Sequence, residues 1–333
     1  MLMDLVVVIA LFAASALVVV GSGLKLAKYG DLLAIKTGWG RLWVGTLLVA
    51  GATSLPELVT GVSAAQIDSP DLVTGNVFGA NMVNMFTMAL VAVIFGARKF
   101  FDGVAPEHGY LATVAITLTL TGALLGAFGP DWSVARMGVG TPLILLLYIA
   151  GMGLVYIRRP ADEEVGEEYN DPSITLRRTW LYFGLASAGV IAAAPVLAYS
   201  ANEVAEITGL EAGFVGVVAV ALVTTLPEAT VTVASVRIGA MDLAAGNLYG
   251  SCAFNIFVLA IADPFYAGGP LLGSQTVDTA QVVAALFAIG LMGAGMAQFI
   301  LRRHGKGRLP PTQTSLAMCT VYIVGLLAVF RLS

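Results

Sequence analysis

Glu57 and Glu228 are the only acidic residues that fall well inside long apolar stretches of this sequence. A charge at the centre of a membrane helix costs roughly 2.5–3.5 kcal/mol on insertion scales, so two of them require compensation. One form of compensation is protonation, with the carboxyl hydrogen-bonded between helices. The other is cation coordination: Ca²⁺ takes about six to eight oxygens, carboxylates among them, and Na⁺ accepts a similar cage with less formal charge. Thr53 and Ser54 precede Glu57 by four and three residues, and Thr224 and Thr225 stand in the same places before Glu228. Helical spacing puts those hydroxyls on the face of the carboxylates. Pro56 and Pro227 each remove a backbone donor, freeing carbonyls near Ala52 and Val223 that in lipid need a partner. Downstream, Asn76, Ala80 and Asn84 recur at four-residue spacing, as do Asn247, Ser251 and Asn255, and add a second stripe of neutral oxygens. The pairs Gly75 with Gly79 and Gly246 with Gly250 let backbones pack closely enough to bring the stripes together.

These features occur twice because the chain repeats itself. Residues 45–86 align without a gap on residues 216–257, a shift of 171, with 16 identities over 42 positions. Composition alone gives roughly four or five. The identities include Thr53 with Thr224, Leu55-Pro56-Glu57 with Leu226-Pro227-Glu228, Asp71 with Asp242, Asn76 with Asn247 and Asn84 with Asn255.

The elements that position these residues follow from hydropathy. The chain has 333 residues, 58% of them hydrophobic and 11% charged, with a mean hydropathy of +0.88. That composition excludes an ordinary soluble domain. Ten apolar stretches are long enough to cross about 30 Å of hydrocarbon. They run over Leu5–Leu26, Trp39–Ala65, Leu72–Phe95, Tyr110–Phe128, Val139–Ile157, Trp180–Tyr199, Phe214–Val236, Leu243–Phe265, Val277–Ile300 and Ser315–Phe330. The expected fold is an all-α polytopic membrane protein: a five-helix repeat over 1–160, a polar cytoplasmic linker over 161–176 and a second five-helix repeat over 177–333. Five spans separate the two copies, an odd number, so they cross in opposite directions and the repeat is inverted, which brings both glutamates towards a midplane two-fold axis.

With the amino terminus outside, 15 of the 17 basic residues face the cytoplasm and only Arg136 and Arg331 do not, which predicts a plasma (inner) membrane protein with both termini outside. Asp4 and the length of the first stretch argue for a mature helix over a secretory signal. Cys252 and Cys319 have neither disulfide nor zinc spacing. The net charge of −4 argues against nucleic acid as a partner. The acidic run 161–171 lacks EF-hand spacing and reads as a solvated linker. His108 and His304 read as loop residues without partners.

The runs Gly51-Ala52-Thr53-Ser54-Leu55-Pro56-Glu57 and Gly75-Asn76-Val77-Phe78-Gly79-Ala80-Asn81, with their second copies, resemble the alpha repeats of the cation/calcium antiporter superfamily, in its sodium/calcium exchanger branch. The resemblance implies a ten-helix inverted-repeat carrier, not an enzyme, with no cofactor, in which sodium entry drives calcium export. Helices two, three, seven and eight would surround the ions, with helices one and six sliding as a gate. By motif position it makes Glu57 and Glu228 the ligands shared by calcium and sodium. Thr53, Ser54, Thr224 and Thr225 would add hydroxyl or carbonyl oxygens, Ala50 and Ala221 carbonyls at flanking sodium sites, and Asn84, Ser251 and Asn255 the rest of the cage. Two departures stand out. Ala80 replaces the usual serine, which removes a hydroxyl oxygen from one flanking site, and Asn255 replaces the aspartate of several relatives, which argues against potassium co-transport. The alternative reading keeps the fold and lets the same glutamates carry protons in a cation/proton antiporter. An intramembrane enzyme is disfavoured, since no nucleophile arrangement appears within the spans.

Overall fold

The computed structural model of the chain describes residues 2–37, 50–134, 136–158, 174–237, 239–303 and 310–333. The acidic run 161–171, most of the linker, the first part of the Trp39–Ala65 stretch and His304 lie outside the described residues. Among those described, regular structure is helical apart from one small antiparallel hairpin, Ser133–Val134 with Met137–Gly138. Seven helices are long and apolar enough to cross a membrane: Leu2–Thr37, Pro70–Phe95, His108–Phe128, Leu176–Thr208, Met241–Ala262 with its extension to Phe265, Thr279–Arg303 and Pro311–Leu332. An eighth forms if Ala212–Thr224 and Leu226–Arg237, bent by 45° at Thr225, are one broken span. The chain is therefore a multi-pass membrane protein. Thr141–Ile157 is apolar but has 17 residues.

Burial sorts the helices into two populations. Pro70–Phe95 and Met241–Ala262 pack on each other at the centre, and their spans are 72% and 78% buried. Both bury nearly every face, their asparagine stripes included, the pattern of a helix enclosed by other helices. Glycine permits the close approach. A Cβ on Gly79 would stand 2.6 Å from the Cα of Val217, and one on Gly75 would strike the Gly213 backbone, so the helix of the first half lies directly against the 213–221 backbone of the second. There the chain winds as a π-helical turn over Gly216–Val220, a feature that accompanies functional sites in helices. At the periphery, Leu17, Leu146, Ile149, Leu185 and Leu327 are exposed, as expected where the solvent is lipid.

The outer pair differs from expectation in length. Leu2–Thr37 and Leu176–Thr208 run along each other for 36 and 33 residues, about 54 and 50 Å at 1.5 Å per residue, against about 30 Å of hydrocarbon. Hydropathy located their apolar middles and missed their polar ends, where Lys28, Lys36, Asn202, Glu203 and Glu206 continue the helix. Each rests on the other half's site helix: Leu176–Thr208 on Leu55–Gln66, and Leu2–Thr37 on Leu226–Arg237, with Gly23 against Pro227.

Two polar contacts in the frame correct the sequence reading. His108 is not an unpartnered loop residue. It opens the His108–Phe128 helix, and its Nε2 lies 3.2 Å from Asp242 Oδ1. Asp263, in the last turn of the second central span, is buried and was not singled out. Its Oδ2 accepts from the Gly138 amide at 2.6 Å and from the Thr141 hydroxyl, and its Oδ1 accepts from the Leu271 amide at 2.7 Å. The 138–141 segment and the backbone at Leu271 are thus fastened to one carboxylate. Asp263→Ala would strand two amides and is expected to destabilise the protein by on the order of 3 kcal/mol, read as a lower melting temperature in detergent, with ion selectivity unchanged.

Candidate cation site

Both glutamates sit in the first turn of a helix that restarts after a break. In the first half, Ala50–Thr53 ends, Ser54 interrupts, and Leu55–Gln66 begins with Pro56 in its opening turn. In the second, Ala221–Thr224 ends at Thr225 and Leu226–Arg237 begins with Pro227. The prolines explain the breaks, since each removes an amide donor and crowds the turn before it. The restarted ladders are visible in the Leu58 amide donating to the Ser54 carbonyl and the Ala229 amide to the Thr225 carbonyl, both at 3.1 Å. A helix N-terminus carries partial positive charge, so each carboxylate lies where the backbone favours an anion.

Every site residue proposed from the sequence whose side chain is described is buried: Glu57, Glu228, Thr53, Ser54, Thr224, Ser251, Asn255 and Ala221 are fully inaccessible, and Asn84 and Thr225 are 1% exposed. The backbone of Ala50 opens the helix before Ser54. The two carboxylates are brought to one site, since Ser54, three residues before Glu57, hydrogen-bonds Glu228.

The hydroxyls do not serve the carboxylate of their own helix, as straight helical spacing suggests. Ser54 Oγ donates to Glu228 Oε1 at 3.0 Å. Thr224 in turn donates to Asn76 Oδ1, of the first half, at 3.2 Å. The break at each proline turns the preceding residues away from their own glutamate and towards the other half. Ser251 Oγ completes the Glu228 side with a 3.4 Å contact to Oε1. Thr225 behaves differently from its counterpart Ser54. Its hydroxyl donates at 2.6 Å to the Ala221 carbonyl, the oxygen expected to face an ion, which also accepts from the Thr225 amide.

Asn81 is a functional candidate that the four-residue stripe passed over. Its Nδ2 donates to Thr119 Oγ1 and to the Cys252 carbonyl, both at 3.2 Å, and its Oδ1 accepts from Asn255 Nδ2 at 3.0 Å. That bond fixes which end of the Asn255 amide is spent and leaves Oδ1 without a donor. Asn247, by donating to the Glu228 carbonyl at 3.1 Å and to Thr232 at 3.2 Å, braces the restarted helix.

Most of the remaining valences are acceptors, with Nδ2 of Asn76, Nδ2 of Asn84 and Oγ1 of Thr60 the buried donors left without a partner beside them. Both oxygens of Glu57, Oε2 of Glu228, and Oδ1 of Asn84 and Asn255 are buried and have no hydrogen-bond donor among the described residues. Buried acceptors are almost always paired, so a group of them gathered around two carboxylates asks for a positive partner. With Asn amides and hydroxyl lone pairs alongside, the donor set is oxygen only, which suits a hard cation.

Comparison with known proteins identifies the family and the fold. The family described as sodium/calcium exchanger protein matches residues 7–157 and 178–331. The Escherichia coli inner membrane protein YrbG is 25% identical over 295 residues, covering 84% of this chain and 87% of that one. Among solved structures, the sodium-calcium exchanger NCX_Mj superposes with a TM-score of 0.62 at 18% identity, over 97% of this chain and 99% of its own. The H⁺/Ca²⁺ exchanger CAX superposes with a TM-score of 0.65 at 16% identity, over 97% and 87%. The fold is that of membrane cation transporters, and the chain belongs to the sodium/calcium exchanger family, whose members are transporters and not enzymes.

Proposed function

We propose that this protein is a secondary antiporter that exchanges Na⁺ for Ca²⁺ by alternating access around the cluster centred on Glu57 and Glu228. The observation that carries the reading is the set of buried acceptors without donors, drawn from both halves of the chain. Glu57, Glu228, Thr53, Ser54, Thr224, Thr225, Asn84, Ser251 and Asn255 are the ligands in this reading, with the carbonyls of Ala50 and Ala221. Recruiting the Ala221 carbonyl requires Thr225 to release it, a rotation about one side-chain bond.

The proposal includes ten spans as two inverted five-helix repeats. The broken segment ending in Leu55–Gln66 and the 17-residue Thr141–Ile157 helix join the eight longer ones. A two-fold relation is supported by Asn81 and Cys252, which are 171 positions apart like every matched pair and touch each other directly. Equivalent residues meet only at a symmetry axis. The crossing of the hydroxyls to the opposite half, Ser54 to Glu228 and Thr224 to Asn76, is what such an axis through the site produces. The family match on either side of 161–176 fits that segment as the linker. An inner-membrane location with both termini outside rests on the distribution of basic residues.

The long outer pair, Leu2–Thr37 and Leu176–Thr208, suits a gate: each helix contacts the other and the site helix of the opposite half, so the two can slide together. The decisive experiment is radiocalcium uptake into proteoliposomes loaded with sodium, potassium or an acid interior. Uptake that requires internal sodium is the expected result. Uptake driven only by the proton gradient would move the protein to the cation/proton reading, which the fold of CAX also accommodates.

A further inference from the structure

We infer that Asn247 and Thr232 form a latch that closes the cytoplasmic passage to the cation cluster, that its release is a step of each transport cycle, and that Asn76 supplies the corresponding contact on the outer side. This latch presupposes the alternating access proposed above, whichever ion is exchanged for calcium.

The observation is a difference between two positions that the repeat makes equivalent. Asn76 and Asn247 are matched by the shift of 171, and both are buried on the central helices. Asn247 spends its donor and keeps its acceptor. Its Nδ2 donates to the Glu228 carbonyl at 3.1 Å and to Thr232 Oγ1 at 3.2 Å, and its Oδ1 has no donor among the described residues. Asn76 does the opposite. Its Oδ1 accepts from Thr224 Oγ1 at 3.2 Å, and its Nδ2 has no acceptor among the described residues. Leu226–Arg237 is thus hydrogen-bonded across to Met241–Ala262 through this asparagine, whereas Asn76 of Pro70–Phe95 gives no such bond to Leu55–Gln66. The sequence supplies a reason. The counterpart of Thr232 is Gly61, which has no hydroxyl, and a Cβ there would stand 3.2 Å from Val258 Cγ1 and 3.7 Å from Val73 Cγ1, so this face of the helix meets apolar side chains.

Position gives the difference its meaning. In the topology proposed above, Leu226–Arg237 is the cytoplasmic half of its broken span and Leu55–Gln66 the outer half of its own. Thr232 lies one turn beyond Glu228 towards the cytoplasm, so the brace spans the space between that carboxylate and the cytoplasmic face. A directional hydrogen bond holds a helix in one place, while an apolar contact allows small sliding. Leu2–Thr37 rests on Leu226–Arg237, with Gly23 against Pro227, so a sliding gate must carry that helix and break the brace. Leu176–Thr208 rests on Leu55–Gln66 and moves with it. The two-fold relation then offers the substitute: Asn76 Nδ2, an idle buried donor in the present arrangement, donates to the Glu57 carbonyl in the exchanged one, as Asn247 now does to Glu228. Since Gly61 contributes no second acceptor, the outer contact is the weaker of the two, and the ion-free protein rests with its cytoplasmic side closed.

The test compares apparent calcium affinity from each face, in right-side-out and inside-out membrane vesicles. Thr232→Val removes one acceptor of the latch and leaves every proposed cation ligand in place. One net hydrogen bond corresponds to a factor of about five in an equilibrium, and the apparent affinity from a face scales with the population open to it. The ratio of cytoplasmic to outer affinity is therefore expected to rise about five-fold in Thr232→Val, and at least as much in Asn247→Ala. Gly61→Ser, combined with Val258→Ala to make room and measured against Val258→Ala alone, supplies the missing acceptor on the outer side and should move the ratio in the same direction. Its effect should add to that of Thr232→Val, because the two act on different arrangements. An unchanged ratio with a lower melting temperature would make the brace a packing feature and overturn the latch, as would a ratio that falls. Failure of the underlying reading has a different signature: parent vesicles in which calcium supports no exchange from either face, which overturns both.

Discussion

Glutamine at position 57 or 228 is expected to reduce calcium flux by about a hundred-fold or more while leaving the protein folded. The loss follows from charge. Ca²⁺ between one carboxylate and one amide keeps a net positive charge in a fully buried site, and breaking a buried ionic arrangement in this way costs about 3–5 kcal/mol, equivalent to roughly two to three orders of magnitude in binding. Retained folding follows from the acceptors. In the ion-free protein both oxygens of Glu57 lack a donor, as do Oδ1 of Asn84 and Asn255. A glutamine brings an NH₂ group among those acceptors, so the ion-free variant should melt no lower than the parent. The discriminating measurement is calcium-dependent thermal stabilisation in detergent. Saturating calcium at about a hundred times its Kd should stabilise the parent by about 2.7 kcal/mol and the variants not at all. A variant that melts far below the parent without calcium would instead assign the glutamates a structural role.

The sequence carried the chemistry of this site further than its geometry. Glu57 and Glu228 stand out because charge in an apolar run is expensive, and the shift of 171 doubles that signal. The apolar middles of the helices were legible for the same reason. What the linear pattern could not show was the direction of the hydroxyls. Spacing rules assume a continuous helix, and the proline breaks before Glu57 and Glu228 send Ser54 and Thr224 to the opposite half. Thr225 illustrates the complement: a threonine near a helix end can bond the carbonyl four residues back, and the choice between that and the carboxylate is made by tertiary packing. Asp263 and the His108–Asp242 pair were missed because their partners come from loops and helices far away in sequence. The polar ends of Leu2–Thr37 and Leu176–Thr208 escaped a hydropathy criterion because it registers apolar runs and not how far a helix continues beyond them.

Asn81→Ala should weaken cation binding without removing a ligand. Asn81 stands one residue after Ala80, in register with Cys252, whose side chain offers no signal of a site. Its role is seen only when the two central helices are together. By accepting from Asn255 Nδ2 it holds that amide with Oδ1 free, and by donating to Thr119 and to the Cys252 carbonyl it is itself held. Without it the Asn255 amide is free to turn, and a turned amide presents a donor to an ion. Groups that orient metal ligands in this way typically contribute about 10–100-fold in affinity, and that range is expected for the apparent calcium affinity of Asn81→Ala. The maximal flux should change much less, because the charges and the direct oxygens remain. A merely structural role predicts the reverse, a lower melting temperature and less active protein at unchanged affinity. Asn255→Ala, which removes the oxygen itself, should weaken binding at least as much, and combining the two substitutions should add little, since both act through the same oxygen.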